Sequence, residues 1–541
     1  MILGGLIILL MLAVIGVNIY LKTAINNRLS NTVNKASHGL YTLEYSGIRV
    51  NILTGTLIIR DVKLIPDTTL LSRLRQQHTA PKLVVGANTS RLAFRNVHWL
   101  AFLNSHQLHI GKLVMEQPHF SVIHLRHDSS IASAGISDVS NQLKDLRIGT
   151  LSLEDAIVQY HAIDTGQRST HNAVEHLDLD LSKIHFANIG TRNAELTAED
   201  YRIRVKEYKR ITDDSLYVIG IKGLDFSSKK KNGRLDSFYT EPRYDEKEFA
   251  RKFDHQETRY QVQLKDITFD GVELTSLSDN VQLIVKKLDI GSGAANMFMD
   301  RSLPPRKADD GEIVISKKVA KLFVPFALEQ ITFNNFGISY REYNPASGKT
   351  AHLSLEDVTI KGSNLTNLPA FINRNKQFKA GITGRFLNAE VKADFDFDLT
   401  NSQGSFTGRI KANQIAADRL NPILSAIAKI EARKGILKQL EASVSGNENE
   451  ATANVNLLYE GLKVNILQKE GDTLKKKGIK TMFANLFVMD DNPKDGVLRT
   501  ATSVRRQRAP GKSFFNMFWS AIAAGIQDIV TDKKGFGTGP G

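Results

Sequence analysis

No cysteine occurs in the 541 residues. That excludes disulfides, thiolate nucleophiles, cysteine-ligated zinc or iron–sulfur centres and a lipidated N-terminal cysteine. Proline is sparse (13) and tryptophan nearly absent (2), so Phe (26) and Tyr (13) carry the aromatic content. Nucleotide and catalytic signatures are missing too. Gly511-Lys512-Ser513 resembles the end of a phosphate-binding loop, but the glycine required five positions before Gly511 is Arg506. There is no H-E-x-x-H, nucleophile elbow or dinucleotide fingerprint. These gaps argue for a non-enzyme that carries no cofactor.

The chain is basic, with a formal net charge of +14. The cations are scattered, apart from short knots at Lys229–Lys231, Lys475–Lys477 and Arg505, Arg506, Arg508. No aromatic-studded basic motif of a nucleic-acid-binding module accompanies them, which leaves anionic lipid or an acidic partner.

One long apolar run is present. Residues Ile2–Val17 hold only apolar residues and glycine, and Ile19, Tyr20 and Leu21 extend the run. About twenty such residues match a hydrocarbon core of about 30 Å. No Lys or Arg precedes the run and no small-x-small site closes it, which favours a retained helix over residues 1–21 rather than a cleaved signal. Lys22, Arg28 and Lys35 follow it, and the positive-inside rule by itself would keep the body cytoplasmic.

From Tyr41 onward the period is two, the pattern of half-buried strands. One pattern recurs, apolar-x-apolar-x-x-apolar-x-apolar. Its copies are Leu57, Ile59, Val62, Leu64; Leu108, Ile110, Leu113, Met115; and Leu146, Ile148, Leu151, Leu153. Further copies are Leu179, Leu181, Ile184, Phe186; Ile219, Ile221, Leu224, Phe226; and Val262, Leu264, Ile267, Phe269. The last are Leu283, Val285, Leu288, Ile290; Phe326, Leu328, Ile331, Phe333; and Leu353, Leu355, Val358, Ile360. The two central residues are mostly polar, as in Arg60-Asp61, Lys265-Asp266 and Glu356-Asp357. One extra residue in a period-two strand reverses its faces, and a bulge at the polar pair restores them. Each copy therefore reads as one bent strand with a single apolar face. The stretches Leu108–Val122, Leu146–Tyr160 and Phe326–Tyr340 align on one another without gaps. Such self-similarity predicts a stacked, quasi-one-dimensional array.

That apolar face needs cover, because exposed apolar patches beyond a few hundred Å² mark binding surfaces. The one good helix predicted ahead of the tail runs over Pro422–Lys434, with Asn421 as cap, Pro422 in the first turn and Gly435 as stop. It is too short to cover the face. Either a second sheet closes a sandwich, or the sheet curls into a trough whose lining meets lipid chains.

The stretch Leu40–Asp67 (LYTLEYSGIRVNILTGTLIIRDVKLIPD), placed after an apolar N-terminal run, resembles the opening of AsmA-like bacterial envelope proteins, relatives of the chorein-type bridges. Gly384–Leu399, Gly408–Lys434, Leu437–Gly446 and Ala451–Leu467, which contains LYEGLKVNIL, resemble the family's closing region. The likeness is one of order and texture over residues 1–470. It implies a mainly β fold: an N-terminal transmembrane helix, then an elongated, curved, repetitive antiparallel sheet forming a groove, with few helices. It further implies a single-pass inner-membrane protein with its body in the periplasm, binding or transferring phospholipid in support of outer-membrane biogenesis. Other envelope proteins would be partners, and nucleic acid would not. The groove lining is then expected at Leu57, Ile59, Leu108, Ile110, Leu113, Leu146, Ile148, Leu151, Leu153, Ile219, Ile221, Leu264, Ile267, Phe269, Leu328, Ile331, Phe333, Leu355 and Val358. A structural, scaffolding protein with a closed sandwich body is the alternative. By domain, residues 22–40 form a juxtamembrane segment, 41–380 the array, 381–470 the closing region and 471–541 a charged tail.

Six histidines lie between 98 and 127: His98, His106, His109, His119, His124 and His127. The H-x-x-H pairs suggest metal, but strand residues three apart point to opposite faces, so no metal site is expected. Asp394, Asp396 and Asp398 alternate with Phe395 and Phe397, as on the wet side of an amphipathic strand. In the tail, apolar residues recur at helical spacing over 514–530 behind the basic knot. Arg505, Arg506, Arg508, Phe514, Phe515, Phe518 and Trp519 are candidates for a membrane interface. A helix capping the end of the array reads equally well.

Overall fold

The computed structural model describes residues 29–531 apart from 32, 36, 78, 82, 99–106, 126–144, 165–166, 188–194, 275–281, 307–313, 323, 471–472, 477–487 and 510–511. The expected N-terminal anchor lies outside these residues. No helix among the described residues is long and apolar enough to cross a membrane. The chain is mainly β, with a long mixed sheet, and divides into two compact units at Asp236/Ser237.

In the first unit β1 (Tyr41–Glu44) and β2 (Gly47–Asn51) both pair antiparallel with β3 (Thr56–Pro66). Helix α1 (Thr68–Gln76) follows, its first turn capped by the Asp67 carboxylate, which accepts from the Thr69 and Leu70 amides at 2.8 and 2.9 Å. Strand β4 (Leu83–Val97) continues the ladder, and β5 (Gln107–Glu116) and β6 (His119–Leu125) lie end to end along it. The long β7 (Asp145–Asp164) runs parallel to both. Strands β8 (Gln167–Ala187), β9 (Glu195–Thr197), β10 (Asp200–Ile211) and β11 (Tyr217–Ser227) complete it antiparallel. Strand β12 (Asn232–Pro242) spans the boundary.

The second unit opens with α2 (Glu246–Ala250), β13 (Thr258–Asp270), β14 (Glu273–Leu274) and β15 (Leu283–Asp300). A crossover containing α3 (Ile315–Ala320) leads to β16 (Phe326–Asn344), parallel to β15, and then to β17 (Lys349–Thr366), antiparallel. After α4 (Pro369–Arg374) come β18 (Gln377–Phe386), β19 (Ala389–Asp398), β20 (Phe406–Ala412) and β21 (Ile415–Ala416). Helix α5 (Asn421–Ile427), β22 (Ile430–Gly446), β23 (Glu450–Glu470), β24 (Thr473–Lys476), β25 (Thr500–Gln507) and α6 (Phe514–Val530) close the unit.

The repeated motif is a unit of pairing. Along β5 and β7, Leu108 faces Leu146, Ile110 faces Ile148, Leu113 faces Leu151 and Met115 faces Leu153. Along β15 and β16, Leu283, Val285, Leu288 and Ile290 face Phe326, Leu328, Ile331 and Phe333. The same motif also pairs antiparallel, with Leu146, Ile148, Leu151 and Leu153 opposite Phe186, Ile184, Leu181 and Leu179. This corrects the expectation of an antiparallel sheet. The pattern reads the same in both directions, so apolar matching cannot tell a parallel neighbour from an antiparallel one.

The two units share a second kink. In β7 the residue after Glu154, Asp155, is left-handed (φ 56°) and the register with β8 shifts around Ala156. In β16 Asn335 is left-handed (φ 45°) and the register with β17 shifts around Phe336. The order antiparallel, parallel, antiparallel around β7 recurs around β16.

At Glu356-Asp357 the register with both neighbouring strands shifts by one residue, as the expected bulge requires, but the other left-handed polar pairs are kinks of a different kind. Asp61, Lys183, Gly223, Asp266 and Asp357, each the second residue of its pair, have φ between 49° and 69°. Arg60 faces Arg91 and Val62 faces Thr89, so β3 and β4 each pass over one position without losing register. Lys265–Ser292 and Ile267–Ile290 do the same. At Asp61 and Asp266 the facing of the side chains is restored by a left-handed residue on one strand, with no extra residue on either.

The helix expected over Pro422–Lys434 is also corrected. It stops at Ile427, Lys429 is left-handed (φ 54°), and Ile430–Lys434 opens β22. Asn421 is not the cap: its carboxamide accepts from the Ala432 amide at 2.7 Å and donates to the Ala432 carbonyl at 2.9 Å. An apolar stripe at Ile423, Leu424, Ile427 and Ile430 suits a helix, but pairing with β23 satisfies more backbone groups from Ile430 onward.

Candidate functional site

The expected groove residues share the apolar face of their strands, and the structure sorts them by cover. Leu57, Ile59, Ile110, Ile148, Leu153, Ile267 and Val358 are buried. Leu108, Leu113, Leu146, Leu151, Ile219, Ile221, Leu264, Phe269, Leu328, Ile331, Phe333 and Leu355 are only half-buried. In the first unit Val97, Ile110, Ile148 and Ile184 form one buried row across four strands, flanked by Leu108, Leu113, Leu146, Leu151 and Leu181. Leu57 and Ile59 belong to a second cluster with Ile48 and Val62. Members of both clusters come from strands adjacent in the ladder and the segments joining them, with Leu29 ahead of β1 added to the second. Among the described residues of this unit, no second sheet contributes to either. The motif side chains thus cover one another along the sheet, and several of them only in part.

The opposite face of the first unit is a lattice of ion pairs. Arg204 meets Asp178 at 3.3 Å and Asp180 at 3.5 Å, Arg202 meets Asp225 at 2.8 Å, and Lys183 meets Glu199. The His176 imidazole bonded to Asp155 holds that carboxyl below its usual range, and Arg202 does the same to Asp225. A concavity of about 450 Å³ opens here, lined by Asp155, His176, Arg204, Asp225, Arg234 and Asp236. It is polar and charged, unlike a small-molecule pocket with an apolar body. Among the described residues no group of three or more His, Asp or Glu is placed to hold a metal ion. Of the six clustered histidines, His106 and His127 lie outside the described residues, and His98 and His109 set their rings 6.1 Å apart.

In the second unit the apolar face changes character along the ladder. Over β13–β17 it keeps the half-buried Leu264, Phe269, Leu328, Ile331, Phe333 and Leu355. From β18 onward it is sealed. Phe378, Phe395, Phe397, Phe406, Val444, Val455 and Leu457 form a core closed by Phe514, Met517, Phe518, Ala521, Ile522 and Ile529 of α6. Phe406 and Phe514 meet edge to face with centroids 4.6 Å apart, and Phe395 and Phe518 lie 5.4 Å apart. Gly408 admits the Phe518 ring, since a Cβ there would stand 2.7 Å from it.

The interface candidates are therefore divided. Phe514 and Phe518 are 4% and 1% exposed inside this core and have no surface left for a membrane while α6 is docked. Phe515 and Trp519 are 53% and 47% exposed on the outer side of the same helix. Arg505 is ion-paired with Glu450, Arg506 is exposed, and Arg508 Nε donates to the Glu448 carbonyl at 2.7 Å. Periodicity alone could not separate them, because a capping helix and an interfacial helix share one stripe. The signal available was the run of small residues Ala521, Ala523, Ala524 and Gly525, which lets a helix sit close on a sheet: a Cβ on Gly525 would stand 2.5 Å from Val455. No protein-family model matches the chain, and a search of curated proteins finds no match.

Proposed function

We propose that the protein is a membrane-anchored envelope protein that binds phospholipid acyl chains along the open apolar face of its strands, and that it is not an enzyme. The observation that carries this reading is the half-buried leucine, isoleucine and phenylalanine side chains on β5, β7 and β11 of the first unit and, separately, on β13, β16 and β17 of the second. Each neighbouring motif covers only part of the next. The remaining apolar surface is worth about 25 cal/mol per Å² to any apolar ligand that covers it. Acyl chains suit it because they are long, have no polar groups to satisfy, and can lie across a repeating row in many registers. The resemblance of residues 1–470 to AsmA-like proteins supports the same reading. It also favours a body outside the cytoplasm over the three cations that follow the apolar N-terminal run.

Native mass spectrometry of the detergent-extracted protein tests the binding: co-purifying phospholipid is expected, and its persistent absence from a folded preparation would favour a scaffold. For the orientation, a C-terminal alkaline phosphatase fusion should be active. An inactive phosphatase together with a fluorescent cytoplasmic reporter would reverse the assignment. The scaffold reading has one feature in its favour, the closed core beneath α6, which resembles a protein-docking platform more than a lipid path.

A further inference from the structure

The apolar row of β16 does not end on an apolar residue. Beyond Phe336 and Ile338, the alternate positions on the same side are Tyr340 and Glu342. Their cross-strand partners are apolar: Leu353 and Ala351 on β17, Met297 and Met299 on β15. At the equivalent place in the first unit, counted from the shared kink at Asp155 and Asn335, stand Tyr160 and Ala162. A carboxylate at this place is thus particular to the second unit.

Glu342 is almost fully buried and fully engaged. Tyr340 Oη donates to its Oε2 at 2.6 Å, and Arg301 Nη1 donates to its Oε1 at 3.0 Å. One carboxylate and one guanidinium balance. A second cation then arrives from the far end of the unit: Lys512, just ahead of α6, whose Nζ donates to Gln256 Oε1 at 3.1 Å. Among the described residues Lys512 forms no ion pair. Burial first, and then Arg301, hold its ammonium below the usual lysine range, with Glu342 acting the other way. A partly desolvated ammonium bonded only to a neutral amide is an expensive arrangement unless an anion completes it.

From this cluster we propose that Lys512 and Arg301 seat the anionic phosphate of an amphiphile whose chains lie on the adjoining apolar face of the second unit. The inference rests on the lipid-binding reading and adds the head group to it. Lys512 supplies the free charge and Arg301 a donor fork held in place by Glu342. Leu353, Met297 and Met299 supply apolar surface on which the chains begin. The sealed core beyond β18 then directs the chains toward β13–β17.

The test uses the full-length protein in detergent and two pyrene-labelled probes with identical chains, phosphatidylglycerol and uncharged diacylglycerol. Inorganic phosphate is titrated separately. The wild type should prefer the phospholipid by about tenfold, as expected for one charge-assisted contact. Lys512→Gln, which leaves the Arg301–Glu342 pair intact, should abolish that preference without weakening diacylglycerol binding. Glu342→Gln should widen it, and Lys265→Gln on an exposed strand position should leave it unchanged. Equal binding of the two probes to the wild type, or a preference that survives Lys512→Gln, would overturn the head-group seat while leaving acyl-chain binding standing. If neither probe binds, the lipid reading itself fails. Lys512-dependent binding of inorganic phosphate, with lipid preference independent of Lys512, would assign the site to a free anion and overturn the proposal.

Discussion

A left-handed backbone is disfavoured for residues with a Cβ, and Asp and Asn bear it best because their short polar side chains bond locally. The kinks at Asp61, Asp155, Asp266, Asn335 and Asp357 follow that preference, and Lys183 departs from it. Opposite Asp266 sits Gly291, where a Cβ would stand 2.8 Å from the aspartate's own. Replacing Asp266 with Gly should therefore be neutral or stabilising by up to about 1 kcal/mol, whereas Asp266→Val should cost about 1–2 kcal/mol. Chemical denaturation of both variants checks this, and equal stabilities would show that the kink is not strained. The polar pairs were legible as interruptions of period two, but their conformation was not. The strands that carry Lys112, Thr150 and Lys287 in the same place take no left-handed turn there. A second residue-scale test concerns Tyr459, 2% exposed, whose hydroxyl has no hydrogen-bond partner among the described residues. Burial raises its phenol from 10.0 to about 12. A raised value means the neutral form is favoured by folding, so its contribution is whole below pH 10 and is lost as pH rises through about 12. Tyr459→Phe should be neutral or stabilising by about 1 kcal/mol at pH 7 and should lessen the loss of stability between pH 10 and 12. A larger alkaline loss in the variant would contradict the assignment.

Elements were easier to read than their partners. The gapless alignment of Leu108–Val122 with Leu146–Tyr160 anticipates strands that lie side by side, and residues 119–122 of β6 indeed face 157–160 of β7. Direction was not legible, because a palindromic motif matches either way and the choice falls to the crossovers. The segment Pro422–Lys434 misled for a related reason: its stripe is as apolar as a helix needs, and only the distant β23 makes a strand of its second half. For α6 the helical period was legible over its whole length, while its surroundings depended on Phe395, Phe397 and Phe406, more than a hundred residues earlier. Phe518→Ala should cost about 3–5 kcal/mol, since it empties a core position. Trp519→Ala, one residue on and half exposed, should stay within about 0.5 kcal/mol. Denaturant unfolding followed by circular dichroism, with limited proteolysis of α6, measures both. If Phe518→Ala is harmless and Trp519→Ala abolishes vesicle binding, α6 belongs to the membrane instead of the core.

At the scale of the whole molecule, the two units are variations on one plan with different endings. In the first, the apolar face is lined by a row of isoleucines and half-buried leucines, and the other face carries charge. The second repeats that arrangement over β13–β17, adds a charged terminus at Glu342, Arg301 and Lys512, and seals the remainder with α6. An apolar face that neighbours only partly cover should tolerate a polar group better than a sealed core does. Replacing Leu151 and Leu181 with Asp should leave the protein folded and present in the membrane fraction, with lipid binding reduced. The same change at Phe397 and Val455 should unfold the second unit, because each unpaired buried carboxylate costs several kcal/mol against a total of roughly 5–15. The most direct test is photo-crosslinking in cells, with a photoreactive residue placed at Leu151, Ile221 or Leu264 on the apolar face and at Arg147 or Lys222 on the charged face. Mass spectrometry should find phospholipid adducts at the first three positions and none at the last two. Adducts only to protein at Leu151, Ile221 and Leu264, or lipid adducts equally frequent on both faces, would contradict a lipid-binding apolar face.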